Sequence, residues 1–196
     1  MKILKLNEAH VPHILPLANF VFENSIRQGQ QPNIQRVIGY FREYAREDVI
    51  REQVAKGSLH MWGIKNGNYY VAVSAMNSQG HITMLYVHPQ FVRRKYGKKL
   101  LREMRVFAAN ELGLNKVTVN VMPVWAASFF AVNGFKPCPQ NEGIRNEFVS
   151  MTASSISEVR YKTKKISPKL FVGISVGCPI LITLITIAYT LYYLNV

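Results

Sequence analysis

From Gly80 to Leu101 the chain reads GHITMLYVHPQFVRRKYGKKLL, and this order of residue types restricts the fold more than any other stretch. Ile82–Val87 is rich in apolar and β-branched residues, as a strand requires, and His88-Pro89 breaks it with a tight turn. A basic loop follows, and helical spacing of apolar residues begins near Gly97. A strand that passes through a short loop into a helix leaves unpaired backbone N–H groups at the helix start, where the macrodipole also favours negative charge. Arg93, Arg94, Lys95, Lys98 and Lys99 surround that point. The segment predicts an anion site, with a phosphate-bearing ligand as its natural occupant.

With 196 residues, the chain has room for one domain with a full core and a short additional segment. Its net charge of +13 is compatible with nucleic acid, an anionic membrane surface or a polyanionic small ligand. Trp62, Trp125 and most tyrosines fall at apolar-periodic positions rather than among the basic residues, so nucleic acid is not expected as a partner. Two cysteines, Cys138 and Cys178, make neither a disulfide framework nor a metal cluster, and no metal is expected. The opening MKILKLNEAH has too short an apolar run for a signal peptide.

From Leu170 to Val196 no charged residue occurs. About 25 apolar residues at ~1.5 Å each give a helix near 37 Å, enough to cross a hydrocarbon core of about 30 Å with some tilt. Tyr189, Tyr192 and Tyr193 gather at one end, as interfacial aromatics do. Arg160, Lys162, Lys164, Lys165 and Lys169 precede the segment. By the positive-inside rule they keep the N-terminal part in the cytoplasm, and each adds up to about 1 kcal/mol of attraction to anionic headgroups. The expected organisation is a domain over 1–153, a basic juxtamembrane linker over 154–169 and a single membrane-spanning helix over 170–194. Gly173 and Gly177 have the GxxxG spacing with which two spans can pair into a homodimer, although that spacing is also common by chance in apolar segments.

The rest predicts mixed α and β structure. Lys2–Leu6 has strand character, and Val11, Ile14, Leu15, Ala18 and Phe22 have helical spacing. Ile34, Ile38, Phe41 and Ala45 mark a second helix ending before Gly57. Leu59–Lys65 and Tyr69–Asn77 predict two strands around an Asn66-Gly67-Asn68 hairpin, and His81–Val87 follows as the third. A helix after Gly97, a strand over Lys116–Val121, a helix over Val124–Val132 and a strand over Phe148–Thr152 complete the series.

This order, together with ITMLYVHPQFVRRKYGKKLL and VTVNVMPVWAASFFAVNGF, resembles the GNAT superfamily of acetyl-CoA-dependent N-acetyltransferases. The second motif is similar to that family's closing signature through Ala126, Phe129-Phe130 and Gly134-Phe135. The resemblance implies an α+β fold with a central, mostly antiparallel twisted sheet flanked by helices. It also implies acetyl-CoA as co-substrate and an amine as acceptor. The pyrophosphate would rest on Val92, Arg93, Arg94, Lys95, Tyr96, Gly97 and Lys98, and the pantetheine arm would pair with Leu85, Tyr86 and Val87 like an added strand. Phe130 would border the same cofactor. The acceptor would enter between the loops near Asn24–Asn33 and Lys136–Arg145.

Several positions depart from the family pattern. Val92 stands for Arg or Gln, and Lys95 for a glycine that brings backbone close to phosphate. Thr83 stands where a carboxylate base is common, and Phe130 where a tyrosine acid is common. Acetyl transfer to an amine still needs a neutral nucleophile, a polarised carbonyl and a proton for the leaving thiolate. His81, on the same alternating face as Thr83, and Tyr86 are the candidate catalytic groups. Asn120, a polar residue in a valine-rich strand, either orients a ligand or is structural. The pattern thus predicts an N-acetyltransferase, with an acyl-CoA-binding sensor as the alternative.

Overall fold

Asn66-Gly67-Asn68 reverses the chain between two long strands, with Gly67 at φ 60° in the left-handed conformation that a glycine adopts without steric cost. In the computed structural model, which describes residues 2–29, 33–138 and 148–156, this hairpin is the centre of an antiparallel meander. The strands are β1 (Ile3–Leu6), β2 (Leu59–Asn66), β3 (Tyr69–Asn77), β4 (His81–Val87), β5 (Lys116–Val121), β6 (Lys136–Pro137) and β7 (Val149–Ser154). They form one seven-stranded sheet in the order β1-β2-β3-β4-β5-β7-β6. Every neighbouring pair is antiparallel except β4 and β5. That parallel step requires a crossover, which α4 (Tyr96–Asn110) supplies.

The sheet is covered on both faces. On one lie α1 (Val11–Gln28), α2 (Ile34–Tyr44) and α3 (Glu47–Ala55), and Val11, Ile14, Ala18 and Phe22 of α1 pack with Met61, Val73 and Met84 of the sheet. On the other, Leu100, Met104 and Phe107 of α4 pack with Trp62, Ile82 and Val119. The apolar face expected for α4 is therefore the buried one. Phe130 of α5 (Ala127–Val132) joins this second core. Arg105 ties the α4 side together, donating to the carbonyls of Ser154 at 2.8 Å and Asn133 at 3.0 Å.

Two expectations need correction. The single helix from Ile34 toward Gly57 is two helices, α2 and α3. Arg46 is extended (φ −62°, ψ 139°), and Glu47 and Asp48 open the new helix, where carboxylates complement unpaired N–H groups. The predicted Val124–Val132 helix begins with a 3-10 turn over Val124–Ala126 before α5, and the two-residue β6 had no sequence signal.

Beyond β7, Ser155 and Ile156 still donate to the carbonyls of Asn115 and Arg105. Among the described residues no helix is long and apolar enough to cross a membrane. The expected span over 170–194, with Gly173 and Gly177, and the basic residues that precede it lie outside the described residues.

Candidate active site

The parallel pairing of β4 with β5 is confined to His81 with Thr118 and Ile82 with Val119. After Ile82 the two strands part, while β4 stays paired with β3 through Val87 and β5 with β7 through Val121. The edge of Thr83–Val87 thus faces the edge of Asn120 and Val121 across a wedge with no ladder in it. Strand edges with unpaired N–H and C=O groups inside a sheet are a template for an extended, amide-bearing ligand.

A bulge marks where the wedge opens. Ala75 pairs with Met84 but Met76 pairs with Ile82, so Thr83 is an extra residue in β4. The consequence is visible in packing: Ile82 lies in the α4-side core and Met84 in the α1-side core. Without the extra residue, side chains two apart would share a face.

At the far end of β4 the chain turns through His88, whose Nδ1 accepts from the Gln90 N–H at 3.3 Å, into a 3-10 turn over Pro89–Phe91. Arg93 and Lys95 then adopt left-handed conformations at φ 64° and 63°, which are rare without glycine. Lys95 caps α4, whose first backbone bond is Lys99 N–H to the Lys95 carbonyl at 3.0 Å. The N–H groups of Arg93, Arg94, Lys95, Gly97 and Lys98 make no hydrogen bond within the protein. Alternation of left-handed residues with a helix start produces a concave set of N–H donors suited to an anion. Val92 is different: its N–H turns back to the Pro89 carbonyl at 3.4 Å, and its side chain is exposed.

The cations Arg93, Arg94, Lys95 and Lys98 are exposed around this nest, and the Arg94 guanidinium lies 4.9 Å from the Phe91 ring centroid. Gly97 has a steric role, since a Cβ there would come within 3.3 Å of Phe129 Cζ and 3.7 Å of Val87 Cγ2. Tyr96 is buried beneath the loop in the α4-side core.

The remaining predicted residues are distributed unevenly. Leu85 and Val87 pack toward α4, and Tyr86 between them turns to the α1 face, edge-on to Phe22 at 6.3 Å and Phe41 at 6.0 Å. Burial pushes the Tyr86 phenol far above its ordinary range, with Tyr44 adding to the effect, so it is neutral at physiological pH. His81 sits at the closed end of the wedge, its Nδ1 2.9 Å from Thr118 Oγ1, and burial lowers its pKa. Six residue steps along the strand, about 20 Å, separate it from Val87 at the loop end. Phe130 is buried between Phe129 and Phe135 at centroid distances of 5.3 and 5.4 Å, rather than on the open edge. Asn120 accepts from Ser150 Oγ at 2.9 Å across β5 and β7, a structural partner.

Sequence reasoning missed Tyr44. Its Oη and Thr83 Oγ1 are both buried and neither has a hydrogen-bond partner. Burial raises the Tyr44 pKa, partly offset by the neighbouring Thr83 hydroxyl. Only the bulge, invisible in the sequence, turns Thr83 toward α2. A separate cavity of about 790 Å³, lined by His13, Phe20, Asn66, Tyr69 and His88 among others, lies beside the 88–91 turn and includes none of the wedge residues.

Set beside known proteins, residues 30–154 match the family model described as an acetyltransferase (GNAT) domain. No curated protein matches the chain in sequence. Solved structures share the fold. A PaiA N-acetyltransferase from Thermoplasma acidophilum, in complex with coenzyme A, superposes with a TM-score of 0.65 at 17% identity, covering 78% of this chain and 98% of that one. A GCN5-related N-acetyltransferase from Rhodopseudomonas palustris gives 0.60 at 22% identity, over 78% and 94% of the two chains. A spermidine N-acetyltransferase from Vibrio cholerae gives 0.52 at 11% identity, over 79% and 95%.

Proposed function

The chain belongs to the GNAT acetyltransferase family, and we propose that it transfers acetyl from acetyl-CoA to a primary amine while held at a membrane. One observation carries the transfer reading: an unpaired strand edge runs directly into a nest of free N–H groups ringed by cations. Coenzyme A has the matching order of parts, an amide-bearing arm followed by a pyrophosphate. The N–H groups of Arg93, Arg94, Lys95, Gly97 and Lys98 would hold the phosphates, aided by the exposed side chains of the four cations. The β4 edge over Thr83–Val87 would hold the arm. The bare Cα of Gly97 fits this use, because a side chain there would press on Phe129 beside the loop.

When bound, acetyl-CoA supplies an activated acyl group. The protein's part is to orient it along β4, to exclude water with the apolar side chains of Leu85, Tyr86 and Val87, and to receive the amine. Among the described wedge residues none is a carboxylate, and Tyr86 and Tyr44 are neutral phenols. The chemistry then relies on proximity and on a thiolate that is itself a good leaving group. Two assays test the proposal together. Titration calorimetry should show acetyl-CoA binding, and amine-dependent release of free thiol should follow. Failure to bind overturns it. Binding without turnover on any amine favours the second reading, an acyl-CoA-binding sensor, which the neutral groups at Thr83 and Phe130 support.

The membrane part rests on the charge-free run 170–194 and the five cations of 157–169. The domain would then face the cytoplasm as the large part of a single-pass protein. Full-length protein should resist carbonate extraction and residues 1–169 should not; retention of the shortened chain as an integral membrane protein would contradict the assignment.

A further inference from the structure

We infer that the cavity beside the 88–91 turn is a second binding site, suited to a planar aromatic carboxylate. It shares no lining residue with the wedge or the 93–98 nest, so a ligand there leaves the proposed acetyl-CoA site free. Four elements enclose it: α1, the ends of β2 and β3 on either side of the Asn66-Gly67-Asn68 turn, and the 3-10 turn after β4. A bulge fixes the strand ends. Ile64 pairs with Ala72 but Lys65 pairs with Tyr70, so Val71 is an extra residue in β3. That register sets Lys65 opposite Tyr70, with Nζ 4.7 Å from the ring centroid. The His88 N–H bonds the Val71 carbonyl at 2.9 Å, which holds the turn against the strand.

Size and surface suit a small molecule. The volume of about 790 Å³ falls within the range of ordinary ligand sites, about 300–1,000 Å³. The walls are aromatic. Phe20 of α1 stacks on His88 at 5.5 Å and 21°, and His88 meets Phe91 edge-on at 5.9 Å. Tyr69 is 79% exposed and Phe20 48%, so large ring surfaces border the cavity without cover. A flat aromatic ligand covers them by stacking, with more contact per atom than an alkyl chain gives.

Charge selects among flat ligands. None of the lining residues is acidic. The four elements carry one carboxylate between them, Glu23 on α1, and it accepts from Arg42 Nε at 2.9 Å and Nη2 at 2.7 Å. Lys65 makes no ion pair among the described residues. The His88 Nδ1 accepts from the Gln90 N–H, so the neutral ring carries its proton on Nε2, as a donor. The side-chain amides of Asn66, Asn68 and Gln90 add neutral donors to the lining. One permanent cation among neutral donors matches a single negative charge. A carboxylate gains a charge-assisted bond from Lys65, an ammonium is repelled, and a polyphosphate finds one lysine where the nest offers four cations.

The test is equilibrium dialysis of the full chain in detergent micelles at neutral pH, with empty micelles as the blank. Indole-3-acetate and 2-naphthoate should bind, and indole-3-acetate about tenfold more tightly than tryptophol, a neutral alcohol of matched shape. Lys65→Met should lower indole-3-acetate affinity about tenfold and remove its advantage over tryptophol. Phe20→Ala should weaken the acid and the alcohol alike, since it removes a ring and no charge. Both side chains are exposed, so neither change opens the core. Saturating acetyl-CoA should leave the indole-3-acetate Kd unchanged. No binding of either acid, equal affinity for tryptophol, or parental affinity in both variants would overturn the inference. Displacement by acetyl-CoA would overturn it too, by making the cavity part of the cofactor site.

Discussion

The two ends of β4 differ in what they keep. At the loop end, Arg93–Lys98 offers five free N–H groups, four exposed cations and a glycine fitted against Phe129. At the closed end, His81 bonds Thr118 and the bulged Thr83 pairs its burial with Tyr44, with no carboxylate at either position. The first is built from backbone geometry plus charge, and the second from neutral side chains in an aromatic setting. Holding an anion needs many modest donors, and losing one side chain costs little. Moving a proton needs one group of suitable pKa, and no substitute is obtained by degrees. Binding and chemistry are thus carried by different physics at opposite ends of one strand.

The largest effect expected is at the loop. Arg93→Glu combined with Arg94→Glu should weaken acetyl-CoA binding roughly 100-fold, about 2.8 kcal/mol, by titration calorimetry at fixed ionic strength. An unchanged affinity would erase the distinction between the two ends. Gly97→Val comes next. Its side chain must displace Phe129, so the variant should lose about 1–3 kcal/mol in urea unfolding and bind acetyl-CoA more weakly. Loss of stability without loss of binding would make Gly97 a packing residue alone.

Lys95→Gly should act in the opposite direction. Relief of the left-handed lysine, offset by glycine's larger unfolded-state entropy, leaves the variant as stable as the parent or up to about 1 kcal/mol more stable, by urea unfolding. The smallest effect concerns protons. Burial lowers the pKa of His81, and burial with Lys5 nearby lowers that of His60. The folded state therefore takes up these protons less readily than the unfolded one. Stability is fully present above the ordinary histidine range near 6.5 and declines as pH falls below it. His81→Gln should flatten this decline in thermal melts between about pH 7 and 5, without moving acetyl-CoA affinity.

Much of the architecture was legible because it follows from local periodicity. The Asn66-Gly67-Asn68 hairpin, the strand over His81–Val87 and the buried stripe of α4 all occur where alternation or helical spacing placed them. The basic loop was legible too, but its backbone was not. Lys95 stands where a glycine is usual, and the chain makes the turn all the same with two left-handed residues, Arg93 and Lys95. Val92 could be judged only by the direction of its N–H, which Pro89 engages. The acceptor side was least legible. Thr83 meets Tyr44, 39 positions earlier, through a one-residue bulge whose register depends on β3 rather than on β4's own pattern. The loops expected to flank the acceptor include residues 30–32 and 139–145, outside the described residues.

The most direct test of the central claim is hydrogen–deuterium exchange of the full chain in micelles, with and without acetyl-CoA. Slower exchange should appear in Thr83–Val87 and Arg93–Lys98 together, with little change in the β1–β2 region. Binding that leaves these two segments unprotected, or protects a different part of the domain, would contradict the account.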